Sequence, residues 1–156
     1  MKILFLCNSN LCRSPLAEGV MKLILKNRNI EATVDSAGFE AFHINESPEA
    51  RAVMTAKKYG IDISSKRARL FNSDDFDRFD KIFVMDTFTY RNAIDFARNE
   101  NDIAKIDFLM NLVRPGRNES IPDPFYRKLE ACQETYLMME QACNKIADSM
   151  SSQILH

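Results

Sequence analysis

Apolar and polar positions follow one another along the chain in blocks that predict strands alternating with helices. Residues 2–6 (Lys-Ile-Leu-Phe-Leu) form a short apolar run followed at once by polar residues, which is typical of a strand buried on both faces. Ser14-Pro15 then predicts a helix start, because Ser caps helices and Pro fits their first turn. This helix is expected to reach about Asn27, and its apolar face is formed by Leu16, Val20, Leu23 and Ile24.

The same strand and helix pattern recurs to the end of the chain. Further strands are predicted at 31–35, at 82–85 and, more weakly, at 106–110. Further helices are predicted at 47–59, where Gly60 is a stop signal, at 87–98 and at 124–150, and residues 114–122 read as a loop. The last helix has an apolar stripe formed by Leu129, Cys132, Tyr136, Met139, Cys143 and Ile146. This alternation predicts a parallel sheet with helices on both faces, and a ligand site at the carboxyl ends of its strands.

Composition limits the class of protein. The 156 residues are 46% hydrophobic and 28% charged, which indicates one globular domain over residues 1–156 rather than a disordered or fibrous chain. A net charge of −1 gives no reason to expect nucleic acid or an anionic membrane surface as a partner. No apolar run exceeds five residues, so neither membrane insertion nor a signal peptide is expected. The expected compartment is cytoplasmic, with export without a signal left open, and the four cysteines are not expected to form a disulfide framework.

The segment between the first strand and the first helix carries the residue types of a phosphoryl-transfer site. Cys7 opens this loop, and Arg13 and Ser14 close it at a helix N-terminus. Backbone N–H groups of such a loop converge on an anion, and a guanidinium matches two phosphoryl oxygens. A Cys at the base of this cradle is expected to act as a thiolate nucleophile, and Ser14 is placed to donate a hydrogen bond to it.

Two other interpretations of these residues remain open at this point. Cys7 is also a small residue suited to the buried end of a strand, and Arg13 is also suited to a solvated surface. A zinc site formed by Cys7 and Cys12 is disfavoured, because their spacing is at the outer limit for ligand pairs and no matching second pair follows.

The loop resembles the signature of the low-molecular-weight protein tyrosine phosphatase family, Cys-x-Gly-Asn-x-Cys-Arg-Ser-Pro followed by Leu or Met and Ala-Glu. Residues 7–18 here read Cys-Asn-Ser-Asn-Leu-Cys-Arg-Ser-Pro-Leu-Ala-Glu. The likeness covers nearly the whole chain and includes Val34–Gly38, Gly60–Asp62, Ala68-Arg69, Phe79-Asp80, Met85-Asp86 and Pro122–Tyr126. The resemblance implies a flavodoxin-like three-layer α/β/α fold with a central four-stranded parallel sheet. It also implies action on tyrosine-phosphorylated proteins without metal or cofactor. The oligomeric state is left open, with a monomer expected.

The resemblance implies a role for three residues. Cys7 would attack phosphorus and form a phosphocysteine intermediate, Arg13 would bind phosphoryl oxygens, and Asp123 would be the general acid and then the general base. The sequence alone would not select Asp123, because Asp35 and Asp86 also follow predicted strands; we expect structural roles for these two. Asp123-Pro124 is equally a helix cap followed by Pro at the first helical position.

The resemblance also implies the walls of a substrate pocket. The loop positions expected to contact substrate are Asn8, Ser9, Asn10, Leu11, Cys12 and Ser14, and the walls expected around the aromatic ring are Phe42, Phe125 and Tyr126. Core packing is an equal alternative for Phe42, and a phosphorylation site is an alternative for Tyr126. These rings would make a cleft deep enough to favour phosphotyrosine over phosphoserine.

Three features bear on how well such a site works. Ser9 stands in place of the family's Gly, where a positive φ would strain it by about 1 kcal/mol. Lys66 stands where some relatives have a His that fastens the loop together with the counterparts of Asn10 and Ser36. Cys12 is either a redox partner of Cys7 or a packing residue beneath the loop.

Four rival functions are weighed against the phosphotyrosine phosphatase. Arsenate reduction on this fold needs further relay cysteines, but no Cys lies between Cys12 and Cys132. Phosphoarginine phosphatases of the family carry Thr where this chain has Leu11, whose bulk favours a flat aromatic substrate. A phosphoryl carrier would lack the acid at Asp123. The last rival is a catalytically impaired phosphotyrosine-binding module, which Ser9 makes somewhat more plausible.

Overall fold

A parallel sheet of four strands forms the centre of the protein. The computed structural model describes residues 1–124 and 128–154 and contains the strands β1 (Lys2–Leu6), β2 (Thr33–Ala37), β3 (Lys81–Val84) and β4 (Ile106–Phe108). Their order is β2-β1-β3-β4, and all neighbours are parallel. All four predicted strands are therefore present. The second begins two residues later than predicted, because the five residues of β1 pair in register with 33–37.

Helices cover both faces of this sheet. They are α1 (Arg13–Asn27), α2 (Ala50–Lys58), α3 (Asp75–Arg78), α4 (Thr87–Asp95), α5 (Glu100–Lys105) and α6 (Leu129–Ile154), with short 3₁₀ turns at Ala41–His43 and Leu109–Leu112. Ile3 and Phe5 of β1 belong to one buried cluster with residues of α1, α2 and α6. Leu4 and Leu6 belong to a second cluster with Phe76 of α3 and Ala93 of α4. The expected three-layer arrangement is confirmed.

Helix boundaries depart from the sequence prediction in a few places. The predicted helix at 87–98 ends at Asp95, and two short helices, α3 and α5, were not predicted. The helix α2 begins at Ala50 because the Glu49 carboxylate accepts hydrogen bonds from the next free N–H groups, and it ends before Gly60, whose φ of 79° stops it as predicted.

The closing helix α6 begins at Leu129 rather than at residue 124. Five positions of its predicted apolar stripe are buried: Cys132, Tyr136, Met139, Cys143 and Ile146. Along α1, Leu16 and Val20 are buried as predicted, together with Ala17, Met21 and Leu25, whereas Leu23 and Ile24 are only partly buried. No helix within the described residues combines the length and the apolarity that a membrane span needs.

Candidate active site

The loop that joins β1 to α1 lies at the carboxyl end of a central strand, where the alternating pattern predicts a ligand site. It borders a cavity of about 390 Å³, which is within the usual range for small-molecule sites. The lining residues come from three parts of the chain: Cys7, Asn8, Ser9, Leu11, Cys12 and Arg13 from the loop and the start of α1, Glu40, Phe42 and His43 after β2, and Asp123 before α6.

Cys7 is buried at the end of β1 with hydrogen-bond donors around its sulfur. Ser14 Oγ lies 3.0 Å from Cys7 Sγ, and the backbone N–H of Ser14 donates to the same sulfur over 3.4 Å. Asn10 Nδ2 donates to Ser14 Oγ over 2.8 Å, so the hydroxyl hydrogen of Ser14 is left for Cys7 or for the carbonyl of Ala37, which is 3.4 Å away. This arrangement stabilises negative charge on the sulfur. The helix α1 begins at Arg13, and Ser14 contacts the sulfur instead of capping the helix as predicted.

The backbone turn inside the loop is made by Asn10 and not by Ser9. Asn10 has a φ of 60°, whereas the φ of Ser9 is not in the positive range. The expected strain at Ser9 is therefore wrong, and Asn is among the residue types that tolerate this conformation best. Ser9 uses its side chain differently, because its Oγ accepts a hydrogen bond of 3.2 Å from the N–H of Leu11.

The side chain of Asn10 fastens the loop to its surroundings from behind. Its Nδ2 also donates to Ser36 Oγ over 3.0 Å, and its Oδ1 accepts from the N–H of Arg69 over 3.1 Å. Gly38 allows this approach, since a Cβ there would lie 2.8 Å from the Asn10 nitrogen. Asn10 and Ser14 thus support the loop and do not line the cavity, so the prediction that they contact substrate is not supported by this geometry.

Lys66 takes part in the same network one step further out. Ser36 Oγ donates to Glu18 Oε1 over 2.6 Å, and Lys66 Nζ lies 3.1 Å from that oxygen. Lys66 also donates to Asp35 Oδ1 over 2.7 Å and to the carbonyl of Ser36 over 2.9 Å. Lys66 therefore connects β2 to α1 through Glu18. It helps to hold the network behind the loop at the position where some relatives have a His.

Asp35 lies within β2 and serves this network. Although burial opposes its ionisation, hydrogen bonds and charges from Lys66 and Arg69 hold the pKa of Asp35 below its usual range. It is not among the residues that line the cavity. The expected structural role of Asp35 therefore agrees with its contacts.

Arg13 is almost fully buried, and one edge of its guanidinium is held in place. Its Nη1 donates to Asp86 Oδ2 over 2.7 Å and to the carbonyl of Ile121 over 2.9 Å. Its Nη2 lies 3.9 Å from Asp123 Oδ2. The alternative interpretation of Arg13 as a solvated surface charge is wrong, because only 5% of its side chain is exposed.

Asp86 positions Arg13 and also starts a helix. Its Oδ1 accepts from the N–H and the hydroxyl of Thr89, both at 2.7 Å, and so caps α4. Burial works against the charge, but the hydrogen bonds from Thr89 and Arg13 hold the pKa of Asp86 below its usual range. The structural role that we expect for Asp86 agrees with this geometry.

The cavity mouth combines one predicted wall with two residues that sequence reasoning missed. Phe42 is 76% exposed, so the core-packing alternative for this ring is wrong. Glu40 accepts a hydrogen bond from Asn8 Nδ2, and its other oxygen lies 3.0 Å from His43 Nε2. The signal available in the sequence for Glu40 and His43 was their position as polar residues close to Phe42. Phe125 and Tyr126 lie outside the described residues.

The four cysteines are all reduced and buried. Burial, together with the proximity of Cys7, raises the pKa of the Cys12 thiol, so Cys12 is protonated at neutral pH. Cys132 and Cys143 belong to the buried stripe of α6. A redox role for Cys12 stays a prediction.

Known proteins resemble this chain in both sequence and fold. The family model of low molecular weight phosphotyrosine protein phosphatase matches residues 2–155. The low molecular weight phosphotyrosine protein phosphatase of Homo sapiens is 33% identical over 147 residues, 90% of this chain and 90% of that protein. A crystal structure of a protein tyrosine phosphatase from Entamoeba histolytica has a TM-score of 0.90 at 30% identity and covers 98% of each chain. Vibrio vulnificus Wzb in complex with benzylphosphonate has a TM-score of 0.83 at 26% identity, covering 95% of this chain and 97% of that one.

Proposed function

We propose a metal-free mechanism with Cys7 as the nucleophile for this chain, which belongs to the low molecular weight phosphotyrosine protein phosphatase family and is therefore a protein tyrosine phosphatase. The observation that carries the proposal is the position of the Cys7 sulfur, which lies 3.0 Å from Ser14 Oγ at the base of the cavity that Arg13 also lines. The family resemblance noted in the loop is thus confirmed over nearly the whole chain.

In the first step, Cys7 Sγ attacks phosphorus opposite the leaving oxygen. A sulfur–phosphorus bond forms as the bond to the phenolic oxygen breaks. The free edge of the Arg13 guanidinium and the N–H groups of the loop stabilise the negative charge on the phosphoryl oxygens. Within the described part of the chain, the backbone N–H groups of Ser9 and Cys12, which line the cavity, donate to no other protein atom, so they are available to an anion.

In the second step, water cleaves the phosphocysteine. Asp123 has given its proton to the leaving phenolate in the first step and now takes a proton from the attacking water. The sulfur–phosphorus bond breaks, inorganic phosphate leaves and Cys7 returns to its thiolate form, again stabilised by the donors of Ser14. The position of Asp123 on the cavity wall, 3.9 Å from Arg13, supports this assignment.

The preference for phosphotyrosine rests on the exposed ring of Phe42 and on Leu11 at the cavity wall. A flat aromatic group packs on such surfaces, whereas the short side chain of phosphoserine would reach neither of them. Benzylphosphonate, bound by the Vibrio vulnificus relative, combines an aromatic ring with a phosphonate. We therefore assign tyrosine-phosphorylated proteins as the substrates.

Hydrolysis of p-nitrophenyl phosphate, with reductant and a metal chelator present, tests the nucleophile. We expect turnover in the native protein and a loss of at least about 1,000-fold in Cys7→Ser. Trapping a phosphorylated protein by rapid acid quench would report the intermediate directly. Turnover that survives in Cys7→Ser, or that requires an added metal ion, would refute the proposed nucleophile.

Leaving-group dependence tests the acid. Asp123→Asn should slow hydrolysis of phenyl phosphate, a poor leaving group, by about 100-fold or more, and p-nitrophenyl phosphate considerably less. Asp74→Asn, at an exposed position of the chain, is the matched control and should change neither rate. Equal losses on both substrates would instead point to another carboxylate.

The phosphoarginine alternative is tested on the same preparation. We expect kcat/KM for a phosphotyrosyl peptide to exceed that for the matched phosphoarginyl peptide, because Leu11 offers an apolar wall and no hydroxyl. Leu11→Thr should narrow the difference. More efficient hydrolysis of the phosphoarginyl peptide by the native protein would reverse the assignment.

A further inference from the structure

A second cavity of about 510 Å³ opens beside the catalytic one and shares three of its lining residues, Asn8, Glu40 and Phe42. We call it the flanking groove. Its lining residues are Asn8, Phe39, Glu40, Phe42, Leu70, Phe71, Phe88, Asn92, Asp95 and Phe96. One side of the groove is thus the segment after β2 and the other is α4 with the residue that follows it. Because Phe42 lines both cavities, the two are adjacent and a peptide bound in one has room to extend into the other.

The base of the flanking groove is a preformed aromatic cluster. The ring centroids of Phe39, Phe71 and Phe96 lie 5.5 to 5.9 Å from one another. Phe71 is buried and makes an edge-to-face contact with Phe76 of the core at 5.3 Å. These contacts fix the base of the groove before anything binds, so little ordering is needed on association.

The lining of the groove exposes large apolar surface to water. Phe42 is 76% exposed, Phe88 is 59% exposed and Phe96 is 39% exposed. A contiguous patch of this kind on a small protein usually marks an interaction surface. The occupant should therefore present an apolar side chain that these rings can cover.

The charges of the flanking groove differ from those of the catalytic cavity. The catalytic cavity contains Arg13 and His43 beside the carboxylates of Glu40 and Asp123, whereas the described lining of the groove has the carboxylates of Glu40 and Asp95 and no Lys, Arg or His. An anion is disfavoured here, and a basic group close to the apolar side chain is favoured. A second phosphate site is thus unsuited to this groove.

We propose that the flanking groove is the recognition site for the substrate segment next to the phosphotyrosine, and that it selects a large apolar side chain accompanied by a basic one. The proposal rests on the proposed phosphotyrosine phosphatase function. Continuity of the two cavities limits the distance, because an extended peptide advances about 3.3 Å per residue and the groove begins at the wall of the catalytic cavity. The selected residues therefore lie within about three positions of the phosphotyrosine.

Three phosphotyrosyl peptides test the proposal, with p-nitrophenyl phosphate as a reference substrate that has no flanking residues. The first peptide has leucine directly beside the phosphotyrosine and arginine two positions away, on both sides. The second replaces leucine by alanine, and the third replaces arginine by glutamate. For each protein, kcat/KM on a peptide is divided by kcat/KM on p-nitrophenyl phosphate. We expect this ratio to be at least fivefold higher for the first peptide than for either other.

Variants on α4 assign that preference to the groove. Phe88→Ala should reduce the advantage of leucine over alanine to less than twofold, and Asp95→Lys should abolish or invert the advantage of arginine over glutamate. Met54→Ala is the matched control, since Met54 is also 59% exposed on a helix but lines neither cavity, and it should retain both advantages.

The outcomes separate this proposal from the proposed function. Absence of turnover on p-nitrophenyl phosphate above the Cys7→Ser background would refute the function itself. Turnover with equal ratios for the three peptides, or with preferences that survive Phe88→Ala and Asp95→Lys, would refute the groove alone. Concentration-dependent dimerisation that Phe88→Ala removes would assign the groove to a second copy of this chain and would also overturn the proposal.

Discussion

Removing the charge of Asp86 tests whether one ion pair both stabilises the fold and orients Arg13, the arginine that we propose binds phosphate. Arg13 Nη1 and Asp86 Oδ2 are 2.7 Å apart, and 5% and 23% of the two side chains are exposed. Leaving a fully buried charge without its partner costs about 3–5 kcal/mol, and the partial exposure of Asp86 reduces this to about 2–3 kcal/mol. We therefore expect Asp86→Asn to lower the free energy of unfolding by about that amount.

The two carboxylate oxygens of Asp86 have different roles, so two substitutions can distinguish the ion pair from the helix cap. Asn keeps an oxygen for the Thr89 donors that lie 2.7 Å from Asp86 Oδ1, whereas Ala removes cap and ion pair together. Asp86→Ala should therefore cost about 1 kcal/mol more than Asp86→Asn. Asp77→Asn breaks an ion pair of the same 2.7 Å length at the surface and should leave the unfolding midpoint unchanged.

Urea unfolding at pH 7 measures the free energy of unfolding of the three variants, and inhibition by inorganic phosphate measures how tightly the site binds phosphate. With only the Ile121 carbonyl holding its Nη1, Arg13 should bind phosphate about tenfold more weakly in Asp86→Asn. An Asp86→Asn protein that matches the Asp77→Asn control in stability, or that binds phosphate as tightly as the native protein, would refute the argument.

The pH dependence of this effect has a definite sign. The pKa of Asp86 in the folded protein lies below the ordinary value of 3.8, so the unfolded chain takes up the proton first as the solution is acidified. The stability that Asp86 contributes is fully present near neutral pH and is lost as the pH falls below 3.8 through the folded pKa. The difference in unfolding free energy between native protein and Asp86→Asn should therefore be constant from pH 7 to about 5 and shrink in acid. A difference that grew on acidification would contradict it.

Two further substitutions test the support of the loop. Ser9→Ala removes the acceptor of the Leu11 N–H without a strain penalty, so inorganic phosphate should inhibit about threefold more strongly; an unchanged inhibition constant would show that this N–H does not reach the phosphate. Lys66→Met leaves the carboxylates of Glu18 and Asp35 without their partly buried cation. It should lower the free energy of unfolding, measured by urea denaturation, by about 2 kcal/mol. Lys57→Met, at an exposed position of α2, is its control, and equal effects of the two lysine substitutions would contradict the role of Lys66.

The strands and the loop between β1 and α1 could be predicted because their signals are local. The apolar run at residues 2–6 and the loop that follows it occupy consecutive positions, and the structure retains both. The short helices α3 and α5 were missed, since four and six residues show too little apolar periodicity. A cap signal was available for α5, where the side chain of Asn99 accepts from the N–H of Asp102.

The pairing of Arg13 with Asp86 could not be predicted in the same way. The two residues are 73 positions apart, and in the sequence Asp35 ends a predicted strand much as Asp86 follows one. The sheet places β3 directly beside β1, so the residue that follows β3 reaches the loop that follows β1. Asp35, by contrast, lies inside β2 because that strand extends to Ala37. Nonlocal topology therefore decided which carboxylate meets the arginine.

The replacement of the family's Gly by Ser9 shows how a motif position and a backbone requirement can be confused. The left-handed conformation belongs to Asn10, whose side chain then reaches Ser14 and Ser36 behind the loop. Because the neighbouring position has no such requirement, a serine fits there and uses its hydroxyl to hold the N–H of Leu11. The substitution therefore acts on the hydrogen-bond donors offered to phosphate and leaves the shape of the loop intact. Ser9 therefore gives no structural reason to favour an impaired binding module.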